Sequence, residues 1–381
     1  MKKSMDRILV LDGDHKNALA IVRHLGKTKQ YLIDVVSYSK ASVAFFSKYA
    51  HQKFIIHNPK KDSDKYITDL IGLLQQNTYL AVLPVSYISY QLCAARKDEI
   101  LQHTHLTIAR AEHINIASSK IETYQLAEKI GIPYPKMQVI QSVDEIDRVE
   151  TSYPCVIKAP FELGKNMVEY AANKDELVSK YKKLCLKNNF GSQLPIIQKY
   201  IQGEGAGFFA FYKNGECKNF FIHRRIREYP VSGGASTCAE SFYEESILEN
   251  GKKILDYLKW EGVAMVEFKK DNSTGIYNLM EINAKFWGSL DLALLAGINF
   301  PQMLIDDAHG MEIERNDFNR KLRFQWILNG DLFHILERPR HLGAFMKDLF
   351  HAENDFYFSD IKPNLFQLLY IPIFYYKKWF K

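Results

Sequence analysis

The first hundred residues alternate short apolar runs with helix-patterned segments, and this alternation restricts the fold more than any other feature of the chain. Arg7-Ile8-Leu9-Val10-Leu11 is an apolar run of strand length, Asp12-Gly13-Asp14 interrupts it, and Ala18, Ile21, Val22 and Leu25 follow at helical spacing. Residues 33–36 and 54–56 repeat the strand signal, 64–76 read as a helix, and 81–85 as another strand. Parallel neighbours need a long crossover, and a helix is its compact form, so strands separated by helices imply a parallel sheet. Residues 1–115 are therefore expected to form a small doubly wound α/β domain. The Asp12-Gly13-Asp14 turn lacks the three-glycine spacing that brings backbone up to a pyrophosphate, and it reads as a strand-end turn.

The pattern changes at Ser118-Ser119, which precede a helix expected over 120–130 and ended by Gly131-Ile132-Pro133. Strands are expected at 154–158, 195–200 and 208–212. A hairpin is expected at 263–270 and 276–283, joined by Asp271-Asn272-Ser273-Thr274-Gly275. Residues 116–310 thus read as a mixed α/β unit with antiparallel pairing and a subdomain at about 155–200. Residues 311–381 turn helical and aromatic.

At 381 residues, with 47% hydrophobic and 25% charged side chains, the chain can bury a large core without covalent staples. Its five cysteines are widely spaced with no C-x-x-C pair, so a disulfide framework and a zinc site are both set aside, and a reducing cytoplasm is the expected setting. The start, Met1-Lys2-Lys3-Ser4-Met5-Asp6-Arg7, shows no secretory signal pattern. The net charge of +6 is spread along the chain instead of forming a basic stripe, so nucleic-acid binding is not expected. The tail from Leu365 to Lys381 is aromatic and lysine-ended, with Pro372 interrupting an apolar stretch far short of the ~20 residues that span a bilayer. A packed terminal helix or a homodimer contact is expected ahead of peripheral docking on the inner face of a membrane.

Glu267, Glu281 and Asn283 lie on the expected hairpin. With a loop at 271–275, Glu267 is expected opposite Leu279, one pleat from Glu281, with side chains of equal parity on one face. Two carboxylates and an amide oxygen on one patch are hard ligands suited to Mg²⁺, which keeps water and phosphate oxygens in its other positions. A solvated hairpin face would look the same in isolation. Lys285 follows two residues on, placed to neutralise a phosphate. Lys158 ends the apolar strand Cys155-Val156-Ile157-Lys158, where a cation needs a partner and a nucleotide phosphate is a good one, unless it snorkels out at the strand end. His223-Arg224-Arg225-Ile226-Arg227, followed by Gly233-Gly234, offers guanidinium forks for an acyl phosphate or a substrate carboxylate, against the alternative of an exposed basic strand. Arg225, Arg227 and Lys285 are the residues assigned to catalysis.

Tyr153-Pro154-Cys155-Val156-Ile157-Lys158, Gln198-Lys199-Tyr200-Ile201-Gln202-Gly203-Glu204 and Met280-Glu281-Ile282-Asn283-Ala284-Lys285-Phe286-Trp287-Gly288-Ser289 together resemble the ATP-grasp superfamily, in particular the branch of the carbamoyl-phosphate synthase large subunit and the amino-acid ligases. The resemblance covers roughly residues 5–305. It implies an ATP-grasp fold behind an N-terminal doubly wound domain, with Mg²⁺, or Mn²⁺ in its place, and ATP as cofactors. Lys120 and Lys158 would contact phosphates. The hinge Gln198-Lys199-Tyr200-Ile201 would read adenine, chiefly through the backbone of Lys199 and Ile201, and Glu204 would hold the ribose. Glu267, Glu281 and Asn283 would be the metal ligands, and the turn at Gly164 a lid that excludes water. The sequence departs from the family pattern at Gln198, where Glu is usual, at Lys285, where Arg is usual, and in a lid poor in glycine. The implied activity is a carboxylate–amine ligase working through an acyl phosphate on small-molecule carboxylate and amine substrates. An ATP-dependent carboxylase or phosphotransferase of the same fold, and a nucleotide-binding scaffold without turnover, stay open at this point.

Overall fold

The computed structural model describes residues 5–161, 167–188, 190–191 and 193–369. Strands β1 (Asp6–Val10), β2 (Tyr31–Ser37), β3 (Ala50–Ile55) and β4 (Ala81–Leu83) form a parallel sheet in the order β3-β2-β1-β4. Ile8, Leu9 and Val10 of β1 are all fully buried, as expected of a central strand covered on both faces. The one carboxylate inside this sheet, Asp34, is paired by Arg7 and Tyr79, which removes the penalty of burying it alone. Where β1 ends, the Asp12 carboxylate accepts hydrogen bonds from the backbone N–H groups of Val85 and Ser86, tying the ends of β1 and β4 together. The helix Lys16–Thr28 starts from that turn.

A smaller antiparallel sheet follows, with β5 (Met137–Gln138), β6 (Cys155–Lys158), β7 (Val168–Ala171) and β8 (Ile196–Lys199) in the order β5-β8-β6-β7. Alternation along β6 and β8 divides its faces. Cys155, Ile157 and Ile197 join Leu177 and Tyr181 of the helix Lys174–Lys187 in a core of their own, separate from the main one. Val156, Lys158, Ile196 and Gln198 point the other way. A subdomain with its own core can move as a unit.

The remaining strands, β9 (Gly205–Lys213), β10 (Glu216–Tyr229), β11 (Ala235–Ser241), β12 (Gly262–Lys270), β13 (Tyr277–Asn283), β14 (Arg323–Gln325) and β15 (Glu353–Asn354), make a seven-stranded sheet in the order β13-β12-β9-β10-β11-β14-β15. Its core is continuous with that of the N-terminal sheet. The C-terminal segment carries the expected helices, at Leu332–Glu337, Leu342–His351 and 361–369, and also supplies the last two strands at one end of this sheet. Strands of two and three residues are too short for periodicity to reveal, and Arg323, which bonds Glu240 and Asp348, anchors the first of them. Among the described residues no helix is long and apolar enough to cross a membrane. The tail beyond residue 369 lies outside the described residues.

Candidate active site

The ribbon of β12 and β13 sits at one edge of the seven-stranded sheet. Its register departs from the sequence expectation. Phe268 pairs with Leu279 and Glu267 with Glu281, so Met280 is the extra residue of a β-bulge and the two glutamates stand directly opposite each other. Asn283 is two residues along on the same strand, and its Nδ2 donates to Glu281 Oε1 at 2.9 Å. Lys285 Nζ donates to Asn283 Oδ1 at 2.9 Å, with its ammonium 5.9 Å from the centre of the Tyr87 ring.

Each glutamate has its own cation. Arg225, reaching from β10 across β9, donates from Nη2 to Glu267 Oε2 at 2.5 Å, and Lys120 Nζ lies 3.5 Å from Glu281 Oε2. The two carboxyls consequently differ. Burial raises that of Glu267, Arg225 opposes the rise, and the charge of Glu281 adds to it. Burial acts on Glu281 too, but Lys120, the Asn283 amide, Lys285 and Lys158 outweigh it and hold this carboxyl below its ordinary range. The ribbon therefore keeps one acid firmly ionised.

Lys158 approaches from the smaller sheet. Burial, and next the nearby Lys120 ammonium, pull its amine down from 10.5 to about 8. On the same face of that sheet the Gln198 amide is 1% exposed, and neither its oxygen nor its nitrogen has a partner among the described residues. The segment after β8 then clamps onto the hairpin turn. Lys270 N–H donates to Glu204 O and Asn272 N–H to Gln202 O, both at 2.9 Å. Gly203 is needed here, because a β-carbon at this position would lie 1.8 Å from Lys270 O. The segment 198–204 thus forms the junction of the two sheets, with Lys199 Nζ 3.7 Å from Asp271.

The loop carrying Lys285 is fixed from both sides by residues that sequence reading did not single out. Asn17, in the first turn of the helix Lys16–Thr28, donates to Phe286 O at 3.0 Å, across 269 positions of sequence. His223 on β10 is 2.7 Å from Ser289 Oγ through Nε2, and burial takes its imidazole down to about 3, so it stays neutral. The signal for His223 was present as the first residue of the basic segment. That for Asn17 was tertiary only.

Arg227 requires a correction. Ile226 is an extra residue between Arg225 and Arg227, and this bulge turns Arg227 away from Glu267. Its Nε and Nη2 donate to Asp331 and its Nη1 to Asp348, all buried, so every nitrogen of the fork is committed to structure. Arg224 is likewise bonded to Glu240. Of the three arginines, only Arg225 joins the acidic ribbon. Gly164 and the lid turn around it lie outside the described residues.

Among the described residues no three His, Cys, Asp or Glu side chains converge into a ready-made metal cage. Two opposed carboxylates and an amide oxygen fit a hard cation that takes its remaining oxygens from water and phosphate, which is how Mg²⁺ binds. Lys120 and Lys158, mutually repulsive and close together, fit a polyanion at the same place.

The family model described as ATP-grasp in the biosynthetic pathway with Ter operon matches residues 213–329, the stretch that carries Arg225, Glu267, Glu281, Asn283 and Lys285. A carbamoyl-phosphate synthase of Methanobrevibacter smithii is 23% identical over 257 residues, covering 65% of this chain and 68% of that one. Among solved structures, the biotin carboxylase–β,γ-ATP complex from Campylobacter jejuni superposes with a TM-score of 0.66 at 18% identity, covering 81% of this chain and 71% of that one. N5-carboxyaminoimidazole synthetase from Staphylococcus aureus gives 0.66 at 15% identity, covering 89% and 88%. With its N-terminal parallel sheet, its separate smaller antiparallel sheet and its seven-stranded sheet edged by the acidic ribbon, the chain has the ATP-grasp fold.

Proposed function

We propose that the protein is an ATP-dependent carboxylate–amine ligase that works through an acyl phosphate. The observation that carries this reading is the gathering of like-charged lysines at one place. Lys158 from the lid sheet and Lys120 from the helix Lys120–Lys129 sit near each other at a cost in repulsion, beside an ionised Glu281. Cations are held together in this way when a shared anion of higher charge binds between them, and a triphosphate is such an anion. Adenine would lie at the junction 198–202, and Glu204 would reach the ribose.

Glu267, Glu281 and Asn283 would hold Mg²⁺ or Mn²⁺, which when bound neutralises charge on the phosphate oxygens. Lys285 would face the γ-phosphate as a single charge, and Arg225 would order Glu267. In the first step an oxygen of the substrate carboxylate bonds to the γ-phosphorus, the bond to the β-phosphate oxygen breaks, and ADP leaves. In the second the amine nitrogen bonds to the acyl carbon, phosphate leaves, and the surplus ammonium proton passes to solvent. The protein supplies position and charge for both steps and no covalent nucleophile.

The test is phosphate release from Mg·ATP by the full-length protein, screened against pools of carboxylates and amines. Release that requires one member of each pool supports the ligase. Release that needs only bicarbonate, or tight ATP binding without turnover under every pool, contradicts it.

A further inference from the structure

β13 is the terminal strand of the seven-stranded sheet, so among the described residues no strand bonds its outer side. That side is held instead by the helix Lys120–Lys129 and the segment after it. Leu279 N–H donates to Pro133 O at 2.8 Å, and the Tyr124 hydroxyl donates to Met280 O at 2.7 Å, across 156 positions of sequence. Met280 is the bulge residue, which the ladder leaves without an opposite partner. Tyr124 thus grips the ribbon at the residue where its register changes.

The bulge decides which side chains share a face. With Phe268 kept opposite Leu279 and no bulge, Met280 would stand opposite Glu267, and Glu281 and Asn283 would both turn to the other face. The three oxygen ligands would then no longer converge. Tyr124 is fully buried and its ring stacks on Tyr134, with centroids 5.6 Å apart, so packing aims the hydroxyl independently of the bond it makes. Lys120 lies four residues earlier on the same helix face, and its Nζ approaches Glu281 Oε2 at 3.5 Å. The start of this helix is bonded in turn to the segment two residues beyond Lys158, through Lys120 N–H and Pro160 O at 2.8 Å. One helix therefore meets the lysine strand at its start and the metal ribbon along its side.

We infer that Tyr124 is a positioning residue for the metal ligands: its hydroxyl holds the Met280 bulge, and the bulge keeps Glu281 and Asn283 on the face of Glu267. The inference rests on the proposal that this ribbon is the metal site. Tyr124→Phe keeps the ring and its stacking but removes the donor, which leaves Met280 O without its partner and the bulged register less favoured. Lys158 and the junction 198–204 are untouched by this change, so the contacts proposed for the nucleotide itself stay in place.

The experiment is titration of the full-length protein with Mn·ATP, read as bound Mn²⁺ by electron paramagnetic resonance, beside calorimetric titration with ATP in excess EDTA. Tyr124→Phe is expected to weaken Mn·ATP by about tenfold and to leave ATP in EDTA within about twofold. Gln125→Gly, at an exposed position of the same helix, is the control for a loosened helix. It should lower the melting temperature and keep Mn·ATP within about twofold of wild type. Equal Mn·ATP binding by wild type and Tyr124→Phe, an equal loss for ATP in EDTA, or an equal loss in Gln125→Gly overturns the inference and leaves the metal assignment standing. Wild-type protein that shows no bound Mn²⁺ overturns that assignment and the inference with it.

Discussion

Glu267 and Glu281 face each other across one antiparallel ribbon, each with a cation of its own, Arg225 at 2.5 Å from the first and Lys120 at 3.5 Å from the second. The unequal partners leave the acids unequal, with Glu267 pushed up and Glu281 held down. Lys120 is the largest influence lowering Glu281, so Lys120→Met releases that carboxyl upward. The sign is fixed: Glu281 is held down in the metal-free fold, so loss of the Lys120 ammonium moves its titration to higher pH. Carbon-13 NMR titration of the metal-free protein is expected to show that upward movement in the variant. A Glu281 titration unchanged by Lys120→Met contradicts the coupling.

Lys158 is expected to weaken the ligand-free fold. At pH 7 the solution is below both its folded value of about 8 and its ordinary 10.5, so the side chain is charged in both states and the full penalty of burying it applies. The penalty fades only as pH rises through 8. Lys158→Met removes it and should raise the melting temperature at pH 7 by about one to two degrees, roughly 1 kcal/mol once partial access to solvent is allowed for. The same variant should lose about tenfold or more in ATP affinity. Thermal melts at pH 7 and pH 9, with titration calorimetry, check both effects.

Arg227 has the opposite character, because removing it strands Asp331 and Asp348 in the interior. Arg227→Met should cost about 3–5 kcal/mol in chemical denaturation. Arg227→Lys should recover little of that, since an ammonium cannot bond two carboxylates through a planar fork. A variant of wild-type stability would mean the pair is open to solvent.

The junction at Gly203 allows a purely steric test. Gly203→Ala puts a methyl where Lys270 O stands, and the backbone must move to admit it. Both clamping hydrogen bonds, Lys270 N–H to Glu204 O and Asn272 N–H to Gln202 O, are then disturbed. ATP affinity is expected to fall by about tenfold or more, with the melting temperature lowered by only a few degrees, and calorimetry with differential scanning reads both.

The fold was legible wherever a run of residues held one period. β1, β2, the helix Ser63–Gln76 and the helix Lys120–Lys129 with its Ser119 cap all follow from local pattern. Bulges were not legible, and two of them turned out to matter. The extra Met280 brings Glu281 opposite Glu267, where an unbroken ladder with a five-residue loop predicts Leu279, and the extra Ile226 sends Arg227 to a different face from Arg225. A one-residue slip reverses a side chain, and alternation alone does not contain it. Contacts across hundreds of positions were equally silent. Nothing local in Asn17 announces a bond to Phe286 O, and nothing local in Lys16 announces its place over Trp326. Lys158, by contrast, stood out in the sequence because a lysine ending an apolar strand carries an unmet electrostatic need.

The central claim is that the β12–β13 ribbon holds a divalent cation together with ATP, and bound Mn²⁺ reports on it directly. Electron paramagnetic resonance of Mn·ATP titrated with the full-length protein should show a bound, broadened Mn²⁺ signal in the wild type. In Glu281→Gln, folded as judged by circular dichroism, Mn²⁺ affinity should fall by about tenfold or more. Equal Mn²⁺ binding by the two proteins would contradict the assignment of the ribbon as the metal site.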